Sequence, residues 1–246
     1  MHDRTPMDLH GTLLFHLNLR YSSIEVEERG EVVRRCYRPL LAFAEEVPGC
    51  ALAIEASRHT LELIAEHDPE WIGRLRALAA AGRVEFVGSG DTQLIGPLVP
   101  AAVNRWNQRL GMEGYEKILG LRPRTGLVNE MAWSQGLVEH YLDAGYETLV
   151  MEWNNPRRHH PEWKHERRYR PVWTESPGGE RIAVLWADAV AFQKFQRAVV
   201  DDLEIVPLNK TPSGSQCPSR GLGAASQLRQ EPEGASRWKG TMGSRT

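Results

Sequence analysis

The chain has 246 residues, 41% hydrophobic and 25% charged, enough for one large domain with a real core. Its net charge of −2 gives no electrostatic footprint for nucleic acid or an anionic membrane, and no apolar run is long enough to span a bilayer. Cys36, Cys50 and Cys217 form neither a CxxC pair nor a metal spacing, and the polar start from Met1 to Asp8 lacks a signal core, so a reduced, cytoplasmic setting without cofactor is expected.

Leu9 to Leu19 reads as a first strand with Leu13, Leu14 and Phe15 at its heart. His16 and Asn18 alternate with Leu17 and Leu19, so both lie on one face at the strand's end. That pair suits a polar pocket; a buried histidine satisfied by backbone is the plain alternative. Glu27 to Val47 fits a helix with Val32, Val33, Tyr37, Leu40, Leu41 and Phe43 as its inner side, and Pro39 predicts a break or kink in it. Cys50 to Ser57 is a second apolar strand ending on Glu55, and a helix follows from Arg58. Asp68 as N-cap and Pro69 at the first helical position open the next helix, which Gly82 ends.

Arg83 to Gln93 reads as a third strand entering a polar, Gly-rich loop that lacks the lysine and spacing of a phosphate loop. Ala101 to Leu119 is a helix. Gly126-Leu127-Val128 is the end of a fourth strand, Glu130 follows at once, and an amphipathic helix is expected from Trp133. Tyr146 to Trp153 is a fifth strand with Glu152 near its end. His159, His160 and His165 lie in the polar run from Asn154 to Arg170, where a metal site competes with a solvated loop. Arg181 to Asp188 is a sixth strand, with a helix from Ala189 to Val200. From Asn209 to Thr246, six glycines and six serines dilute the large apolar residues, and no period survives. The expected division is a flexible segment 1–8, an α/β domain 9–208, and a disordered or aberrant tail 209–246.

Strands alternate with helices, and polar residues collect at strand ends. This is the signature of a parallel barrel or a doubly wound sheet, and no GxGxxG follows a strand. Ligands of such folds bind at the carboxyl ends of the strands. Glu130 there is a candidate acid, base or nucleophile. It also reads as a first-turn residue favoured by the helix dipole.

Four stretches in order resemble glycoside hydrolase family 57, over roughly residues 9 to 200. They are Phe15-His16-Leu17-Asn18, Ala53-Ile54-Glu55-Ala56-Ser57, Gly82-Arg83-Val84-Glu85 with Pro97 to Pro100, and Gly126-Leu127-Val128-Asn129-Glu130 with Gly145-Tyr146 after the helix. The resemblance implies an incomplete parallel (β/α)7-type barrel, truncated after about six strands. It implies retaining hydrolysis or transglycosylation of α-glucans, with an oligo- or polysaccharide as partner and Glu130 as nucleophile. A second carboxyl group about 5–5.5 Å away must then serve as acid and base. The family's acid follows a later strand; Asp188 is the nearest stand-in here. His16, Asn18, Glu55, Gln93 and Trp153 are the implied sugar-binding residues. Gln93 stands where the family usually has His, and Leu127 where it usually has Trp, so the resemblance implies a divergent branch. Two other readings compete: a metal-dependent polysaccharide deacetylase, which needs an Asp and two His closing on one metal, and a non-catalytic sugar-binding remnant.

Overall fold

In the computed structural model the described residues are 11–191 and 237–238. The chain runs through β1 (Leu13–Leu17), α1 (Arg29–Val32), α2 (Arg38–Glu46), β2 (Leu52–Ala56), α3 (Arg58–His67), α4 (Pro69–Ala80), β3 (Val84–Gly88) and α5 (Ala101–Leu119). It continues through β4 (Thr125–Leu127), α6 (Leu137–Ala144), β5 (Thr148–Glu152), α7 (Asn154–His159), β6 (Val172–Glu175), β7 (Arg181–Ala187) and β8 (Arg237–Trp238). All the strands lie in one sheet, ordered β1-β2-β3-β4-β5-β7-β6-β8. β1 through β5 and β7 pair in parallel, which gives the six parallel strands of an incomplete barrel. The sheet stays open, with β1 at one edge.

The core strands are buried on both faces: one face packs with the helices in the main core, and the other turns Ala53, Val87, Leu127 and Val150 of neighbouring strands toward one another. Every residue of β2 and of β5 is buried, polar ones included. Glu55, set among Ile54 and Ala56 in β2, is therefore inside the protein by virtue of its strand. Asp68 caps α4 through Trp71 N at 3.2 Å, and its carboxylate also holds Arg38 at 2.5 Å.

Four local expectations are revised. The stretch from Glu27 to Val47 is not one regular helix: a π-helical turn, Val33–Tyr37, separates α1 from α2. The widened turn restarts the α-helical ladder at Arg38, so Pro39 falls in a first turn where its missing N–H is not needed. The helix expected from Trp133 starts at Leu137, because Asn129–Met131 forms a tight 3-10 turn first. The polar run after Trp153 contains α7 and a 3-10 turn, His165–Tyr169, in place of an unbroken loop. The fourth revision is β6, antiparallel to β7. The turn residues Pro177-Gly178-Gly179 lie between β6 and β7, a hairpin signal in the sequence. The flexible segment 1–8 and helix residues 192–200 fall outside the described residues. So does the tail 209–246, apart from β8, which pairs with β6.

Candidate active site

Glu130 is exposed just past the carboxyl end of β4. Its backbone is left-handed, φ 55° and ψ 14°, and Met131 follows at φ 51°. Left-handed non-glycine residues are uncommon and cluster at functional sites. The turn is tied in place: Met131 N donates to Val128 O at 3.0 Å, Ala132 N to Asn129 O at 3.2 Å, and Asn129 Nδ2 to Ser89 O at 2.9 Å.

A chain of two amides ends on this carboxylate. Asn18 Oδ1 accepts from Arg20 N at 3.1 Å and Tyr21 N at 2.8 Å, which orients its amide. Asn18 Nδ2 must then donate, and it donates to Gln93 Oε1 at 2.8 Å. Gln93 is thereby turned so that Nε2 donates to Glu130 Oε1 at 2.7 Å. Backbone hydrogen bonds thus fix the orientation of a side chain two links away. Tyr37 supports the near end, its hydroxyl accepting from Asn18 N and donating to Asn18 O, both at 3.1 Å. Burial pushes the Tyr37 phenol up to about 12, so it stays protonated for that role. The Gln93 loop is anchored on α5: Asp91 N donates to Asn107 O at 2.8 Å, and Thr92 N to Asn107 Oδ1 at 2.9 Å.

His16 and Glu55 are register partners in the β1–β2 ladder, and the His16 ring hydrogen-bonds the Glu55 carboxylate. The Glu55 side chain is 0% exposed and that of His16 42%. Burial pulls the His16 pKa down, but the hydrogen bond to Glu55 and the charges of Glu55 and Glu130 more than offset it, so the net shift is upward. The other Glu55 oxygen, Oε1, is buried without a partner among the described residues.

His16, Asn18, Glu55, Gln93 and Glu130 therefore gather at the carboxyl ends of β1 to β4. Three other residues are engaged elsewhere. Glu152 caps α7, accepting from Asn154 N at 2.7 Å and Asn155 N at 2.9 Å. Trp153 is 1% exposed and packs on Trp163 and Trp186, with ring centroids at 5.9 and 5.5 Å. Asp188 accepts from Arg168 at 2.9 Å and from Ala191 N at 3.1 Å. His160 stacks on Trp163 and pairs with Glu162, and among the described residues no three His, Cys, Asp or Glu side chains gather as a metal site would require. Sequence reasoning missed Asn107 and Asn129 as anchors, since nothing local marks an asparagine whose partner lies on another loop.

A mostly parallel sheet presenting a carboxylate at a strand's carboxyl end has the layout of an α/β-barrel enzyme. Residues 11–189 match the profile of Glycosyl hydrolase family 57, and the chain belongs to that family. It is 30% identical over 122 residues to an alpha-amylase of Pyrococcus furiosus, a match covering 50% of this chain and 19% of that protein. To a 4-alpha-glucanotransferase of Thermococcus litoralis it is 29% identical over 122 residues, covering 50% and 18%. The matches thus span about a fifth of the length of these curated relatives. Among solved structures, the 4-alpha-glucanotransferase of Thermococcus litoralis superposes with a TM-score of 0.63 at 22% identity, over 82% of this chain and 31% of that one. An alpha-amylase of Thermotoga maritima gives 0.61 at 18% identity, over 78% and 49%. At these identities the structural likeness is one of fold.

Proposed function

We propose that this chain carries the nucleophile side of a retaining active site for α-glucans, serving hydrolysis or glucan transfer. The observation that carries the proposal is Glu130: exposed at a strand end, in a left-handed turn, and oriented by Gln93 and Asn18. The names of the amylase and glucanotransferase relatives support the substrate class.

Glu130 attacks the anomeric carbon, the glycosidic oxygen leaves, and a glycosyl ester forms; a second carboxyl group protonates the leaving oxygen and then activates the water or acceptor hydroxyl that breaks the ester. Gln93 occupies Oε1, so Oε2 attacks. Asn18, Gln93 and His16 supply hydrogen bonds to sugar hydroxyls, and Glu55 holds His16 in place. Glu55 is a poor acid/base because it is buried and spent on His16. Asp188 is disfavoured as well, since both its oxygens already accept hydrogen bonds. Trp153 contributes as packing with Trp163 and Trp186 and not as a sugar contact. The unpaired cysteines Cys36 and Cys50 fit a reduced, cytoplasmic setting.

The test is mass spectrometry after incubation with a 5-fluoro glycosyl fluoride, whose leaving group needs no protonation. A single adduct on Glu130, absent from Glu130→Gln and unchanged in Asp188→Asn, is expected. Labelling elsewhere, or equal labelling of Glu130→Gln, would remove Glu130 from the role.

A further inference from the structure

The residue before Glu130, Asn129, lines a small cavity together with Leu94, Asn107, Gln108, Val128 and His140. It lies between α5, α6 and the loop that carries Gln93. The space open to water centres is about 10 Å³, close to what one water needs.

Four lining side chains each hold a buried polar atom that no group of the described residues meets: Asn107 Nδ2, Gln108 Oε1, Asn129 Oδ1 and His140 Nδ1. All four residues are more than nine-tenths buried. Their other contacts settle what each atom offers. Asn107 Oδ1 is taken by Thr92 N and the Thr92 hydroxyl, at 2.9 and 3.2 Å, so Nδ2 is a donor. Asn129 Nδ2 donates to Ser89 O at 2.9 Å, so Oδ1 is an acceptor. The unmet atom of Gln108 is its amide oxygen, Oε1, and so an acceptor. Burial, and then the charge of Arg105, hold the His140 pKa down, so the ring is neutral and either nitrogen can carry its proton.

Two acceptors, one donor and one histidine nitrogen that can donate are the complement of a single water, which donates twice and accepts twice. Unmet, each group would forfeit a hydrogen bond it had in the unfolded chain. We infer that the cavity binds one structural water, which joins α5 and α6 to Asn129 and thereby fixes the left-handed turn presenting Glu130. His140, Asn107 and Gln108 are then positioning residues for Glu130. Only the catalytic consequence rests on the reading of Glu130 as nucleophile; the water and the turn do not.

Crystal structures of the wild type and of His140→Leu, at a resolution that shows ordered water, test the first part. The wild type should show one water bonded to all four groups. His140→Leu should lose it, with Glu130 leaving the left-handed region. Labelling by the 5-fluoro glycosyl fluoride tests the second: the maximal rate in His140→Leu should fall about tenfold, with the half-saturating concentration unchanged. His140→Asn, which restores a donor near the Nδ1 position, should recover most of that rate. If His140→Leu fails to fold, Gln108→Leu takes its place. A wild-type cavity without water, or a variant that loses the water and keeps both the turn and the rate, overturns the inference. A wild type with the water but no label on Glu130 would instead sink the nucleophile reading, and the Glu130 backbone in the variant would still decide the positioning role.

Discussion

Glu130 and Met131 hold a conformation that costs on the order of 1–3 kcal/mol each, and the hydrogen bonds around Asn129 sustain it. Glycine has no such penalty. Glu130→Gly should therefore gain up to ~1 kcal/mol in urea denaturation, after the loss of the Gln93 contact and the greater freedom of the unfolded glycine, while losing all labelling. A fall in stability of that size would show that the turn is unstrained. At the other strand ends, His16 should titrate above the ordinary histidine value of ~6.5, and Glu55→Gln should lower its midpoint, as followed by ring-proton NMR. Because the folded-state pKa is the raised one, the pair's contribution to stability is fully present below the unfolded value and is lost as pH rises through the folded one. A His16 midpoint that ignores Glu55→Gln would contradict the pairing.

Helix α5 sets the position of the Gln93 loop, and it does so through glycine. A Cβ on Gly111 would meet the Gly90 Cα at 2.6 Å and Asp91 N at 2.7 Å, both backbone atoms that cannot swing away. Gly111→Ala is expected to cost roughly 1–3 kcal/mol by overpacking and to slow labelling of Glu130 by shifting Gln93. Gly73, in the interior of α4, has nothing within 4 Å of its would-be Cβ. Gly73→Ala should stabilise by about 0.8–1 kcal/mol, the helix propensity difference, with labelling unchanged. Calorimetric melting of the two variants separates the signs. Equal effects would mean that the close approach of α5 to the 90–91 loop does not constrain the protein.

At the scale of the molecule, the open sheet leaves β1 with an outer edge, and its residues are mostly exposed or half-buried while β2 is buried throughout. Hydrogen-exchange mass spectrometry should find β2 and β5 exchanging only by global unfolding and β1 exchanging earlier by fraying. Equal protection of β1 would show its outer edge covered in solution. The same gradient bears on the site. His16 and Asn18 stand on or just past this edge strand, and their hydrogen bonds to Glu55 and Gln93 tie it to the rest of the cluster.

The strand–helix alternation, the carboxylates at strand ends and the four family stretches were legible in the sequence, because hydrophobic period and short-range spacing are local properties of a chain. From them followed the parallel sheet, the family and the prominence of Glu130. What each polar residue touches was decided only by the tertiary structure. His16 meets Glu55 39 residues away, and Gln93 meets Glu130 37 residues away. Glu152, Trp153 and Asp188, equally polar or aromatic and equally placed near strand ends, instead became a helix cap, a buried ring and the partner of Arg168. No periodicity encodes the left-handed turn at Glu130 either. It exists because hydrogen bonds from loops distant in sequence hold it, and such contacts form only when the sheet brings the strand ends together.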